Sequence, residues 1–133
     1  MGRPKIFKGI NRVIGLSTTQ RYYLYRHPTD MRKSFTGLAG LVINQMGRDP
    51  LQGEAYIFIN KRRTMVKVLI WDRTGFVIYY KKLSSGTFEI PSWEENRSSK
   101  EIEIPTLLMM LEGVQIESAK LRKRYKRQVE KRA

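Results

Sequence analysis

Apolar residues fall along this chain first at a helical spacing and then in short strand-like runs. Met31, Phe35, Leu38, Val42 and Met46 are spaced by four, three, four and four residues. That spacing places all five on one face of a helix. Thr29 or Asp30 stands where a side-chain oxygen can accept the free N–H groups of the first turn. Gly47 stands where a left-handed residue ends a helix, and Pro50 prevents its resumption. The interior glycines Gly37 and Gly40 each cost about 1 kcal/mol against alanine. Close packing of the helix on a sheet would explain why they are tolerated.

From Ala55 onward short apolar and aromatic runs bounded by turn residues predict strands over Ala55–Ile59, Met65–Trp71 and Phe76–Leu83. Alternation puts Val66, Val68 and Ile70 on one face and Lys67, Leu69 and Trp71 on the other. Asn60-Lys61-Arg62-Arg63-Thr64 suits a longer hairpin loop. Asp72-Arg73-Thr74-Gly75 suits a tight hairpin with its glycine in the left-handed position. Connections this short make neighbouring strands antiparallel. Arg21–Tyr25 reads as a further short strand, ended by His27-Pro28. Ser84-Ser85-Gly86 turns the chain into a short strand around Phe88, ended by Pro91, and 92–100 reads as a polar loop. An extended piece near Ile102 precedes a second helix from Pro105 to about Glu112, with Leu107, Leu108 and Leu111 facing the core and Gly113 at its end. The predicted fold is α+β: one long amphipathic helix packed on a small antiparallel sheet, a meander of three to five strands, with a second short helix and basic flexible termini. Residues 1–20 are expected to be loosely ordered, 21–114 to form the domain, and 115–133 to be a basic tail or helix.

Composition narrows the function. A chain of 133 residues fits one domain with a core of its own. It has no cysteine, which removes disulfides and thiolate zinc sites and fits a cytoplasmic bacterial protein. No apolar run is long enough to span a membrane, and the charged N-terminus lacks the apolar stretch of a signal peptide. The net charge is +14, and it is unevenly placed. Arg3, Lys5, Lys8 and Arg12 give the first twelve residues +4. Eight basic residues against Glu130 give 120–133 a charge of +7. Within the body, 21–82 carries twelve basic and four acidic side chains, whereas 89–117 carries two basic and seven acidic ones. A polyanion should therefore meet the tails and the strand region and avoid the glutamate-rich segment.

Several short motifs follow one another in a specific order. Thr29-Asp30-Met31-Arg32-Lys33-Ser34-Phe35, Gly37-Leu38, Gly47-Arg48-Asp49-Pro50 and Gly53 make up the first half. Phe58, Lys67-Val68-Leu69, Trp71-Asp72, Gly75, Lys82-Leu83, Gly86-Thr87-Phe88 and Leu111-Glu112-Gly113 complete it. In this order they closely resemble the accessory protein encoded by the second reading frame of insertion sequences of the sixty-six family, over about residues 21–114. The resemblance implies a role in transposition beside a separate, larger transposase that carries the catalytic carboxylates, and no known enzymatic activity. It does not extend to the basic tail or the first dozen residues. Relatives with similar openings start near Val13, so residues 1–12 are expected to be an upstream extension, which an intact-mass measurement would check.

The candidate binding residues are cations. Arg32 and Lys33 follow Asp30 at a helix start, where cations oppose the helix dipole. They form an anion site for a phosphate, or Asp30 caps the helix and both are solvated. The resemblance favours the first reading, since they belong to its central motif. Lys61, Arg62 and Arg63 at a hairpin tip could grip a phosphate backbone. Lys67, Arg73, Lys81 and Lys82 extend that surface, with Trp71, Tyr79 and Tyr80 interleaved for stacking. The bland alternative is a solvated strand face and core aromatics. Arg122, Lys123, Arg124, Lys126 and Arg127 in the tail would add phosphate contacts, or else serve solubility or an acidic partner.

Catalysis is weakly supported. Asp30, Asp49, Glu54 and Asp72 suggest a nuclease-like metal set, yet three of them suit a cap or turns. His27 has no histidine or cysteine partner, and no nucleophile motif is present. The expected protein is a non-catalytic accessory of DNA recombination by transposition. It needs no cofactor or metal, and its partners are the transposon ends, the transposase and other proteins of the element. The glutamate-rich 89–117 segment would be a docking face. The alternatives are a protein adaptor that never touches DNA and an RNA-binding module that uses Tyr79 or Tyr80 on single strands.

Overall fold

The computed structural model describes residues 20–92 and 96–112. Five strands and two helices follow in the order β1 (Tyr22–Tyr25), α1 (Phe35–Asn44), β2 (Ala55–Ile59), β3 (Met65–Trp71), β4 (Phe76–Lys82), β5 (Ser99–Ile102) and α2 (Ile104–Leu111). They build one five-stranded sheet of order β4-β3-β2-β1-β5. The fold is α+β as expected, but the sheet is mixed. β2, β3 and β4 form an antiparallel meander, with Ile57 opposite Val68 and Val68 opposite Tyr79. β1 instead runs parallel to β2, with Tyr23 opposite Tyr56, and antiparallel to β5. The cause is the connection: a hairpin joins only antiparallel strands, whereas the chain between β1 and β2 carries α1 and crosses over.

The helices cover opposite faces. On one face Leu107, Met110 and Leu111 of α2 pack with Tyr22, Leu24, Ile57, Val66, Val68 and Phe88. On the other, Leu38 and Val42 of α1 and the following Met46 pack with Tyr23, Tyr25, Tyr56, Phe58 and Leu69. All four residues of β1 are buried because that strand is sandwiched between both layers. The first face is largely aliphatic and the second largely aromatic.

The first helix is shorter than its periodicity suggests, at ten residues. Met31 lies ahead of it in a turn closed by Lys33 N–H on the Asp30 carbonyl. Asp30 is therefore not a helix cap. Its carboxylate accepts the N–H of Arg32 at 2.9 Å, and Ser34 occupies the cap position without a side-chain bond. Phe35 is left 46% exposed, so the apolar face narrows to Leu38 and Val42, with Met46 beyond the helix end. Sheet packing also does not account for the interior glycines. A Cβ at Gly37 would meet the Lys33 side chain at 3.2 Å, and one at Gly40 would only reach Asn44 at 4.0 Å.

Two further expectations change. The segment around Phe88 is not a strand: Phe88 is buried and its N–H donates to the Arg63 carbonyl, which stitches it to a loop. The segment expected to be a loop up to residue 100 already enters β5 at Ser99. The segment 1–20, expected to be loosely ordered, and the expected tail 115–133 fall, save Gln20, outside the described residues.

Candidate nucleic-acid interface

The β2–β3 connection is held by its first residue. Asn60 Oδ1 accepts the N–H groups of Thr64 and Met65, both at 2.9 Å, and Asn60 Nδ2 donates to Thr64 Oγ1 at 3.1 Å. These bonds add to the backbone pairs of the turn, Arg63 N–H on the Asn60 carbonyl and Asn60 N–H on the Met65 carbonyl. Arg63 completes the turn at φ 58°, a conformation that L-residues rarely adopt. Lys61, Arg62 and Arg63 are all exposed. The loop also serves as an anchor, because Thr64 and Arg63 offer their carbonyls to Leu83 and Phe88. Lys61–Arg63 is thus a fixed tip that presents three cations.

A second segment meets this tip. Thr29 N–H donates to the Ile59 carbonyl at 2.9 Å, which draws the 28–33 turn alongside the end of β2. Lys67 fastens it from below. Its ammonium donates to the carbonyls of Met31 at 2.7 Å and Lys33 at 2.8 Å, and the residue is only 7% exposed. Lys67 was expected on the binding surface, and the structure instead commits it to holding this turn. Burying an ammonium costs several kcal/mol unless it finds strong acceptors, and two carbonyls and an aromatic face provide them. That face belongs to Tyr80, whose ring centroid lies 4.6 Å from Lys67 Nζ.

Together these parts enclose an open cleft of about 680 Å³. Its lining combines Pro28, Met31, Met65 and Tyr80 with Arg32, Lys61 and Arg62. The floor is apolar and the rim cationic. Asp30 also reaches the rim, where the Arg32 guanidinium grips both its oxygens at 2.6 to 3.1 Å. That contact and the Arg32 N–H hold the Asp30 carboxyl down at about 2. The rim therefore carries three cations against one carboxylate, itself paired with Arg32.

The other predicted cations are dispersed. Lys33 is exposed beside Arg32, and its side chain runs along the first turn of α1 against Gly37. Lys82 is exposed opposite Met65, on the same sheet face as Tyr80. Lys81 points to the other face and donates to the Leu111 carbonyl at the end of α2, a favourable place for a cation. Arg73 lies at the far end of β3, about 20 Å along the strand from Lys61–Arg63. Its turn departs from expectation: Arg73, at φ 84°, takes the left-handed position, and Gly75 does not. Arg122, Lys123, Arg124, Lys126 and Arg127 lie outside the described residues. The aromatics divide similarly. Tyr80 is 52% exposed in the cleft, Tyr79 packs toward α2, and Trp71 meets Phe76 edge-on at 5.0 Å.

Sequence reasoning overlooked the apolar floor. Met31 looked like helix core, and nothing in the sequence placed it beside Met65. It also overlooked Arg48, whose guanidinium lies 3.7 Å over the Tyr23 ring and 3.6 Å from Glu54. Arg48 borders a larger cleft of about 1000 Å³ that also includes Lys100 and Glu101. There Lys100 is bonded to the Ser92 carbonyl and Arg48 is taken up by Tyr23 and Glu54, so it is not where the predicted cations gather. The carboxylates considered for a metal stand apart in local roles. Asp49 accepts from Leu51 N–H and Gln52, Asp72 from Thr74 and Gly75, and Glu54 from Tyr56. Among the described residues no helix is long and apolar enough to cross a membrane.

Comparison with known proteins adds a family. The family model described as IS66 Orf2 like protein matches residues 20–121. Two proteins of Sinorhizobium fredii (strain NBRC 101917 / NGR234) are similar. Uncharacterized protein y4jC is 33% identical over 79 residues, 59% of this chain and 68% of its own length. Uncharacterized protein y4hO is 32% identical over 74 residues, 56% of this chain and 64% of its own length. The chain thus spans about two thirds of the length of these relatives. No solved structure matches it.

Proposed function

This chain belongs to the IS66 Orf2-like family of transposition-associated proteins, and from that premise we propose that it binds the DNA of its insertion sequence through the Arg32–Lys61–Arg62 cleft and assists a separate transposase. The observation that carries this reading is the meeting of two cationic segments around one opening. Arg32 and Lys61 are 29 positions apart in sequence, and both line the same cleft. Long cationic side chains on a rigid tip suit phosphate oxygens, which fix a protein's register on nucleic acid without reading its bases. Lys33, Arg63 and Lys82 flank the cleft and add to its field. Lys67 and Lys81 are left out, since carbonyls hold their ammonium groups, and Arg73 belongs to the opposite end.

Charge layout supports the same orientation. Glu101 and Glu103 lie on or beside β5, four strand spacings and roughly 19 Å from β4. DNA on the β3–β4 side leaves the β5 edge, where Glu101 and Glu103 stand beside Lys100, for the transposase or another protein of the element. The tail cations Arg122 to Arg127 join the DNA contact in this reading. The protein breaks no bonds itself.

A mobility-shift titration of the element's terminal DNA across salt tests the reading. Each neutralised phosphate adds about 0.9 to the slope of log affinity against log salt. A slope of about seven or more, reduced by roughly five when 120–133 is removed, is expected. Affinity that is absent at low salt, or indifferent to salt, would refute it. A protein adaptor is the second reading, favoured by an apolar groove beside α1 lined by Ala39, Ile43, Leu51 and Phe76, with Ile43 and Leu51 more than half exposed. Co-purification with the transposase after nuclease treatment, alongside failure of the DNA titration, would select it.

A further inference from the structure

Phosphate contact alone explains the rim of the cleft but not its floor. A duplex backbone offers only anionic oxygens and sugars to a surface, and for it an apolar, aromatic floor is wasted. From that mismatch we infer that the cleft takes an unpaired nucleotide of a DNA strand, with its base on Tyr80 and its phosphates on Lys61 and Arg62. The inference rests on the DNA-binding reading above and names the form of DNA that this site prefers.

Three features of Tyr80 support it. The ring is exposed over half its surface while its neighbours on the same sheet face, Ile78 and Phe76, are partly buried. The buried Lys67 ammonium sits against one face of the ring, so solvent meets the other. The hydroxyl donates to Met65 Sδ at 3.2 Å, which fixes the ring's orientation. Tyr80 is thus braced from beneath and at its tip before any ligand arrives. A flat aromatic surface held in place spares the ordering cost of binding, and a base can stack on it whatever its identity.

The surroundings suit the rest of a nucleotide. Pro28, Met31 and Met65 supply apolar walls beside the ring, and Arg32, Lys61 and Arg62 stand at the rim, where a backbone entering and leaving would pass. Asp30 would repel a phosphate, but Arg32 covers both its oxygens. In duplex DNA bases face one another and are stacked, so none can reach the floor without unpairing, which costs a few kcal/mol. Overhangs, nicked ends and frayed termini present such a base without that cost.

Fluorescence anisotropy with the full chain tests the inference. The probes are labelled DNA oligonucleotides of one sequence as single strand, as blunt duplex and as duplex with a short overhang, plus the single strand as RNA. Single-stranded and overhang DNA are expected to bind at least tenfold more tightly than blunt duplex. Tyr80→Ala should weaken single-strand binding by roughly 5- to 150-fold, the span of one base–aromatic stack. The loss on duplex should be several-fold smaller, and Tyr80→Trp should restore the preference. Because loss of the ring could loosen the Lys67 contact, photocrosslinking of unmodified protein to a single strand carrying a halogenated uracil serves as a second measurement. The crosslink is expected on the peptide containing Tyr80. Equal affinity for single strand and duplex, a preference for RNA, equal loss on both DNA forms with Tyr80→Ala, or a crosslink confined elsewhere would overturn it. Salt-dependent duplex binding in those cases would leave the DNA reading intact, whereas binding to no DNA form would remove both.

Discussion

The two ends of β3 carry almost the same local device and have different fates. At one end, Asn60 organises a turn whose Arg63 adopts φ 58°. At the other, Asp72 accepts from Thr74 and Gly75 and from the Thr74 hydroxyl, and Arg73 adopts φ 84°. Both place a side-chain acceptor at the first position and an arginine in the left-handed region. Only the first becomes part of a cleft, because the 28–33 turn is fastened beside it by Thr29 and Lys67. Asp72 adds a negative charge to the second. A basic hairpin tip is therefore not a binding site by virtue of its sequence. The neighbour brought against it decides.

The largest test of that contrast is Lys67→Met. It keeps the length of the side chain and removes both bonds to the turn. Two carbonyls lose charged donors, partly offset by relief of the buried charge, so a loss of about 2–3 kcal/mol is expected. Thermal melting should fall by on the order of 10 °C, and amide exchange across 28–33 should accelerate while 72–75 is unaffected. A change spread evenly over both ends would break the comparison.

Charge removal comes next. Lys61→Ala with Arg62→Ala is expected to lower the salt slope of DNA binding by about two, whereas Arg73→Ala leaves it unchanged. Equal reductions would show that the far tip also touches DNA, and that position rather than the cleft governs contact.

Acid separates the tips by a smaller margin. The backbone and hydroxyl of Thr74, together with Gly75 N–H, hold the Asp72 carboxyl below its ordinary 3.8. Its folded value is depressed, so the stability it contributes is complete above the ordinary value and lost as pH falls through the folded one. Asn60 does not titrate. Below about pH 4 the 72–75 turn should loosen first, seen as faster amide exchange, and Asp72→Asn should abolish the difference. Continued selective loosening of 72–75 by acid in the Asp72→Asn variant would assign the effect to other groups.

The smallest effect concerns the arginines in left-handed conformation. Glycine relieves a cost of about 1–2 kcal/mol there but restores chain entropy to the unfolded state. Arg63→Gly and Arg73→Gly should each stabilise by on the order of 0.5 kcal/mol in chemical denaturation. Only Arg63→Gly should also weaken DNA binding.

Much of this architecture was legible along the chain. β2 and β3 fall on the apolar runs Ala55–Ile59 and Met65–Trp71, and β4 ends one residue short of its expected Leu83. Both hairpins were readable from their spacing. The helix start was not, because the periodicity from Met31 to Met46 continues through a turn that is not helical. Tertiary bonds to Ile59 and Lys67 hold Thr29–Lys33 out of the helix, and no local pattern records them. Arg32, Lys61 and Arg62 were readable as binding candidates from charge alone, but their company with Tyr80, Met31 and Met65 was not.

By itself the sequence determined the faces of β3, the antiparallel pairing of β2, β3 and β4 and the family, since each depends on residues close in the chain or on a fixed order of motifs. Only the tertiary structure decided that β1 lies parallel to β2, that Lys67 is a buried fastener while Lys61 is free at a tip, and that one hairpin end becomes a cleft and the other does not. The physical reason is the same in each case. A lysine has one formal charge wherever it stands, but its environment is set by the chain segments folded over it, and those come from far away in the sequence.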